Sequence, residues 1–228
     1  MGAPAARPVA IGVDGGGRVS GLLQGTDEAR ACLVLAHGAG AGMTHPFMAA
    51  VALGLAERGV ATLRFQFPYM ERRAKRPDSP KVAQAAVRGA VLEAARLAPG
   101  LPLFAGGKSF GGRMTSQAQS ESPLPGVRGL IFLGFPLHPP GRASPDRGGH
   151  LFEVRIPLLF LQGSRDDFAD LKLLAPLVAH LGGGATLTVI PDADHSFRVP
   201  ARSGRSDAEV LADIPGVVAG WIEKVAFG

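Results

Sequence analysis

Six short, almost uninterrupted apolar runs recur along the chain: "ACLVLA" (31–36), "VATLRF" (60–65), "LPLFAG" (101–106), "RGLIFLG" (128–134), "PLLFLQG" (157–163) and "ATLTVI" (185–190). A strand that is half solvated alternates apolar and polar residues; one covered on both faces does not. Runs of this kind therefore predict a parallel sheet clothed by helices, and the spacers between them are long enough to supply those helices. Phe47, Val51, Gly54 and Leu55 recur at near-helical spacing before Gly59, and residues 82–97 do so before Pro99 and Gly100. Further helices fit 110–120, 168–181 and 207–226, with Pro176 expected to kink or shorten the one that holds it. Ahead of the apolar runs, "PVAIGV" (8–13) and "VSGLLQ" (19–24) flank Asp14-Gly15-Gly16-Gly17, which predicts an N-terminal antiparallel hairpin.

No repeat or low-complexity linker divides the pattern, so residues 1–228 read as a single α/β domain. The Pro/Gly-rich stretch 135–150 is of loop length only. The single cysteine, Cys32, lies inside an apolar run and reads as a core residue, with neither a disulfide partner nor a metal-binding cluster around it. No metal and no organic cofactor is expected. Neither a leader-like segment nor a membrane-length apolar run occurs, and the myristoylation pattern fails at Ala6, which predicts a cytoplasmic protein without a membrane partner. The net charge of +5 comes mostly from scattered arginines. Only "ERRAKRP" (71–77) is a basic run, and it lacks interleaved aromatics, so it reads as a solvated loop and no specific nucleic-acid partner is expected.

"AGGKSFGG" (105–112) admits two chemistries. A phosphate loop requires a glycine five residues before Gly107, where Pro102 stands, and needs as loop the residues that end an apolar strand. The turn Gly107-Lys108-Ser109-Phe110-Gly111 instead fits Gly-x-Ser-x-Gly, in which small residues let strand and helix approach while a strained serine projects above the sheet. Such a serine needs a base and the base a carboxylate, in the chain order serine, acid, histidine. Ser164-Arg165-Asp166-Asp167 follows the run at 157–163, and Asp192-Ala193-Asp194-His195 follows the one at 185–190. Ser109 as nucleophile, Asp166 as acid with Asp167 as its competitor, and His195 as base would all leave the same sheet edge. Oxyanion donors are expected from the backbone N–H of Ala39, or alternatively Gly40, in "HGAG" (37–40), and from that of Phe110. Tyr69 and His138 follow other strands at this edge and are candidates to bind substrate. Lys108 and Arg113 either favour anionic substrates or face solvent, and His45 reads as the end of the loop before a helix.

"LVLAHGAGAGMTHPFM", "RFQFPYMERR", "GGKSFGGRM", "FPLHPPG", "LQGSRDDF" and "DADHSF" together resemble a family of α/β-hydrolase-fold proteins related to dienelactone hydrolase. The likeness runs from about residue 30 to the C-terminus, and the family's relatives include the hydrolase-like subunit of the eukaryotic non-specific-lethal chromatin complex. It implies the same roles for Ser109, Asp166 and His195. Dienelactone hydrolases proper use cysteine where Ser109 stands, which argues against their lactone chemistry. About twenty residues separate the strands at 128–134 and 157–163, too few for a lid domain. The expected protein is a lidless serine hydrolase of small carboxylic esters or thioesters; the alternative is a non-catalytic scaffold of the same fold that binds a protein partner. Oligomeric state is not legible.

Overall fold

The computed structural model describes residues 4–15 and 17–228. Among the described residues eight strands, numbered in chain order, form one sheet in the order β1-β2-β4-β3-β5-β6-β7-β8. Arg7–Val13 (β1) and Gly17–Gln24 (β2) make the expected antiparallel pair, and β2 lies antiparallel to Val60–Phe65 (β4). Gly16, within the predicted turn, lies outside the described residues, as do the first three positions. Ala31–Ala36 (β3), β4, Leu103–Lys108 (β5), Val127–Leu133 (β6), Leu158–Gly163 (β7) and Ala185–Ile190 (β8) run parallel.

The continuous apolar runs arise because the sheet is covered twice. Cys32, Val34, Ala36, Leu130, Phe132, Leu158 and Phe160 face a core completed by helices Pro80–Leu97 (α3), Phe110–Glu121 (α4) and Leu171–His180 (α5). Their neighbours Leu33, Leu35, Phe104, Ile131, Leu133, Leu159 and Leu161 face the opposite core, completed by Pro46–Ala56 (α1) and Asp207–Phe227 (α6). Alternation persists, but both sets of side chains leave water. Where α1 crosses α6, a Cβ on Gly54 would lie 2.6 Å from Pro215 Cγ, so the glycine read as a helical position is also the contact point of the two helices.

Two boundaries differ from expectation. β5 begins after Pro102 and runs two residues further, into Lys108. Loss of apolar side chains looked like the end of the strand, yet Gly106 and Gly107 belong to it, because a Cβ on either would collide with the backbone carbonyls of Ile131 and Ala36. α5 starts at Leu171, where Asp170 caps it by accepting from Lys172 N at 2.8 Å, and it continues through Pro176. A short helix, Pro68–Glu71 (α2), and two 3₁₀ turns, Asp146–Glu153 and Ala201–Ser203, escaped the periodicity reading because each is too short to show a repeat. The turn at Asp146–Glu153 is the only helical structure between β6 and β7 among the described residues, and its Leu151 packs into the core. The basic run is exposed, with Arg72 paired to Asp78.

Candidate active site

β5 delivers Ser109 to the sheet's C-terminal edge and α4 leaves at once. Both backbones pass so close to β3 that a Cβ on Gly111 would sit 2.6 Å from the carbonyls of Ala36 and His37. Between them Ser109 adopts φ 49°, ψ −114°, a conformation that costs on the order of 1–3 kcal/mol and is held by the strand and helix on either side.

His195 lies in the turn after β8. Asp194 shapes that turn, its Oδ1 accepting from Ser196 N (2.8 Å) and Arg198 N (2.9 Å), while Asp192 and Phe197 take left-handed φ of 58° and 61°. The turn leans on the one after β7: Arg165 N donates to Ala193 O (2.8 Å), and Gly163 has no room for a Cβ against that same carbonyl. His195 Nε2 reaches Ser109 Oγ at 2.8 Å, and His195 Nδ1 reaches Asp166 Oδ2 at 2.7 Å. Asp166 is buried and fully engaged, accepting also from Gln162 Nε2 (2.5 Å) and Phe168 N (2.8 Å); Asp167 is exposed. An hydroxyl, an imidazole and a carboxylate joined this way can pass a proton from oxygen to nitrogen while the carboxylate steadies the resulting cation.

A cavity of about 320 Å³ opens over Ser109 and His195. Ala39, Gly40 and Ala41 form one wall, and Phe47 and Phe168 supply its aromatic surface. The Phe168 ring lies 4.3 Å, centroid to centroid, from the His195 imidazole. His45 also borders the cavity and caps α1, accepting from Phe47 N at 3.2 Å. Residues 37–45 are held from beneath. His37 is buried; its Nδ1–H donates to Gly38 O (2.8 Å) and its Nε2 accepts from Phe67 N (3.0 Å). Burial pushes that imidazole down to about 4, so it stays neutral. Because carbonyl and N–H of a trans peptide point in opposite directions, tying Gly38 O to His37 turns the Ala39 N–H away from this anchor. The Ala39 N–H makes no hydrogen bond among the described residues, and the N–H of Phe110 opens α4, where helical partners are lacking.

Tyr69 and His138, read from sequence as substrate-binding, are not among the residues lining this cavity. The Tyr69 side chain is buried and its hydroxyl donates to Ala39 O at 2.7 Å. Burial and the nearby Asp78 charge push its phenol up to about 12, which keeps it a donor. His138 Nδ1 pairs with Pro139 O (2.9 Å) and its Nε2 accepts from Asp170 N (2.8 Å), so the ring fastens the loop after β6 to the cap of α5. Both leave the correct sheet edge, but neighbouring backbone claims their polar atoms. Lys108 is half-buried and borders the cavity, and its Nζ donates to His195 O at 2.6 Å. Arg113 packs partly buried beside Arg147. Phe47 and Phe168 were missed, because an aromatic that walls a cavity has the same local pattern as one that fills a core. Cys32 is buried, its thiol pushed up to about 12, and takes no part.

Among the described residues no group of three or more His, Cys, Asp or Glu could hold a metal ion, and no helix is long and apolar enough to cross a membrane. Residues 29–223 match the model of a family described as an alpha/beta hydrolase domain, and the chain belongs to that family. Dienelactone hydrolase from Anabaena variabilis superposes with TM-score 0.77 at 22% identity, covering 98% of this chain and 99% of its own. The esterase domain of a Rhodothermus marinus protein gives 0.74 at 16%, covering 96% and 98%, and a lidless α/β serine hydrolase from Xanthomonas campestris gives 0.71 at 19%, covering 95% and 94%. The protein is thus a hydrolase of the α/β class, and it shares its fold with dienelactone hydrolase.

Proposed function

We propose that this chain is a cytoplasmic, single-domain serine hydrolase that cleaves small carboxylic esters or thioesters through an acyl-enzyme. The observation that carries the reading is the unbroken hydrogen-bonded chain from Ser109 through His195 to Asp166, set at the floor of a cavity. Ser109 Oγ attacks the substrate carbonyl carbon as His195 Nε2 takes its proton, and the carbonyl oxygen becomes an oxyanion facing the N–H groups of Ala39 and Phe110, with Gly40 as the alternative donor in the first loop. The tetrahedral intermediate collapses, the C–O or C–S bond breaks, and the leaving alcohol or thiol departs with the proton from His195. Water then repeats the sequence on the acyl-enzyme and releases the acid. Asp166 keeps the Nδ1 proton in place and offsets the imidazolium charge in both halves.

Walls made of Ala39, Gly40, Ala41, Phe47 and Phe168, with only 320 Å³ between them, favour a compact and mostly apolar acyl group. The single buried cysteine suits a reducing compartment. A fluorophosphonate probe is expected to label wild type and not Ser109→Ala, and p-nitrophenyl esters of increasing chain length are expected to show a short-chain optimum. Absence of labelling in folded protein would reject the enzyme reading in favour of a scaffold.

A further inference from the structure

Lys108 occupies the variable position before the nucleophile, yet its side chain is spent on the base. Its Nζ donates to the main-chain carbonyl of His195 at 2.6 Å and lies 5.3 Å from the centre of the Phe197 ring, so it grips the histidine turn at two points. Gly134 shows how tightly the groups converge: a Cβ there would stand 3.0 Å from Lys108 Nζ, 3.4 Å from Asp166 Oδ2 and 3.5 Å from His195 Cε1. The charged or titratable groups facing the ammonium are therefore Asp166 from the turn after β7, and Asp194 and His195 from the turn after β8. Partial burial lowers the amine to about 8, against the pull of the two carboxylates.

Resting on the reading of His195 as the general base, we propose that Lys108 is a positioning residue for it: the ammonium ties the His195 turn to the nucleophile's own strand. Lys108 and Ser109 are consecutive, so one rigid stretch of β5 presents the nucleophile and holds the main chain that carries the base. Thermal drift of the histidine turn relative to Ser109 is thereby limited, and displacements of about 1 Å at such a contact cost on the order of 100-fold in rate.

The test compares wild type, Lys108→Met and Lys108→Arg for the rate of fluorophosphonate labelling and for p-nitrophenyl acetate hydrolysis at about pH 7. For Lys108→Met, kcat and labelling should fall on the order of 10- to 100-fold while KM changes little. Lys108→Arg, which keeps a charged donor for the His195 carbonyl, should recover most of both rates. If Lys108→Met does not fold, Lys108→Gln carries the same expectation. Equal losses in Lys108→Arg and Lys108→Met overturn the proposal, since that is mere structural damage. A KM increase confined to anionic esters, with kcat unchanged, overturns it too, by making Lys108 a substrate-binding cation. Wild type that fails to label rejects the enzyme reading itself, whereas labelled wild type with an equally reactive Lys108→Met rejects this inference alone.

Discussion

Asp166 and Asp167 are neighbours of identical chemistry, and only one of them meets the imidazole. Asp166 turns inward, where Gln162 and the Phe168 amide satisfy the lone pairs left over from His195; Asp167 turns to water. The consequence for the proposed mechanism is sharply asymmetric. Asp166→Asn should lower kcat by about four orders of magnitude, because an amide cannot hold the same tautomer and offers no charge to the imidazolium. Asp167→Asn should leave kcat within about twofold, surface changes of this kind being nearly neutral. Steady-state hydrolysis of a p-nitrophenyl ester measures both, and equal losses would remove the distinction drawn between them. The same scale explains Tyr69: sequence placed it at the right edge, but whether a hydroxyl meets substrate or a carbonyl is decided by the loop packed above it.

At the scale of elements, the strand–turn–helix unit around Ser109 depends on contacts with β3 rather than on its own residues. Gly107 pairs with Ala36 across the parallel ladder, and a methyl group there would strike the Ala36 carbonyl, which cannot retreat without opening the β3–β5 register. Gly107→Ala is expected to destabilise the fold by about 3 kcal/mol or more, at the upper end of overpacking costs. Gly149→Ala, where the added carbon meets nothing within 4 Å, should be close to neutral. Urea midpoints of the two variants against wild type decide it. This is also why the predicted end of β5 fell short: glycines demanded by a neighbouring strand look, within a single segment, like the start of a loop.

At the scale of the whole molecule, packing lowers two imidazoles among the described residues: His37, buried beneath the 37–45 loop, and the half-buried His150, which pairs with Ser116 Oγ at 2.8 Å between α4 and the turn after β6. Burial lowers His37 to about 4, and burial together with the Arg113 charge lowers His150 to about 4. Both folded-state values lie below the unfolded value of about 6.5, so between these limits the unfolded chain binds more protons and stability must fall as pH falls. Urea midpoints should therefore be flat above about pH 7 and decline from about 6.5 to 4, steepening towards roughly 1.4 kcal/mol per pH unit for each histidine. In His150→Gln the decline should be about half as steep. A midpoint independent of pH across that window would mean that neither ring is held neutral by the fold.

Local pattern was sufficient for the layered architecture, since a strand's hydrophobicity reports how many of its faces are covered. It also nominated Ser109, Asp166 with Asp167 as its competitor, and His195, and placed them at one edge, because chain order and strand polarity do not depend on packing detail. The resemblance drawn from its motifs pointed to the same α/β-hydrolase family that residues 29–223 match. Tertiary structure alone decided which of two adjacent aspartates faces inward, that Tyr69 and His138 serve the backbone, that Phe47 and Phe168 wall the cavity, and that Lys108 reaches the histidine turn. Those outcomes turn on contacts between residues 25 to 90 positions apart, as with Lys108 and His195 or Tyr69 and Ala39. A side chain's partner at such range is set by how layers stack, and no periodicity within a segment encodes that.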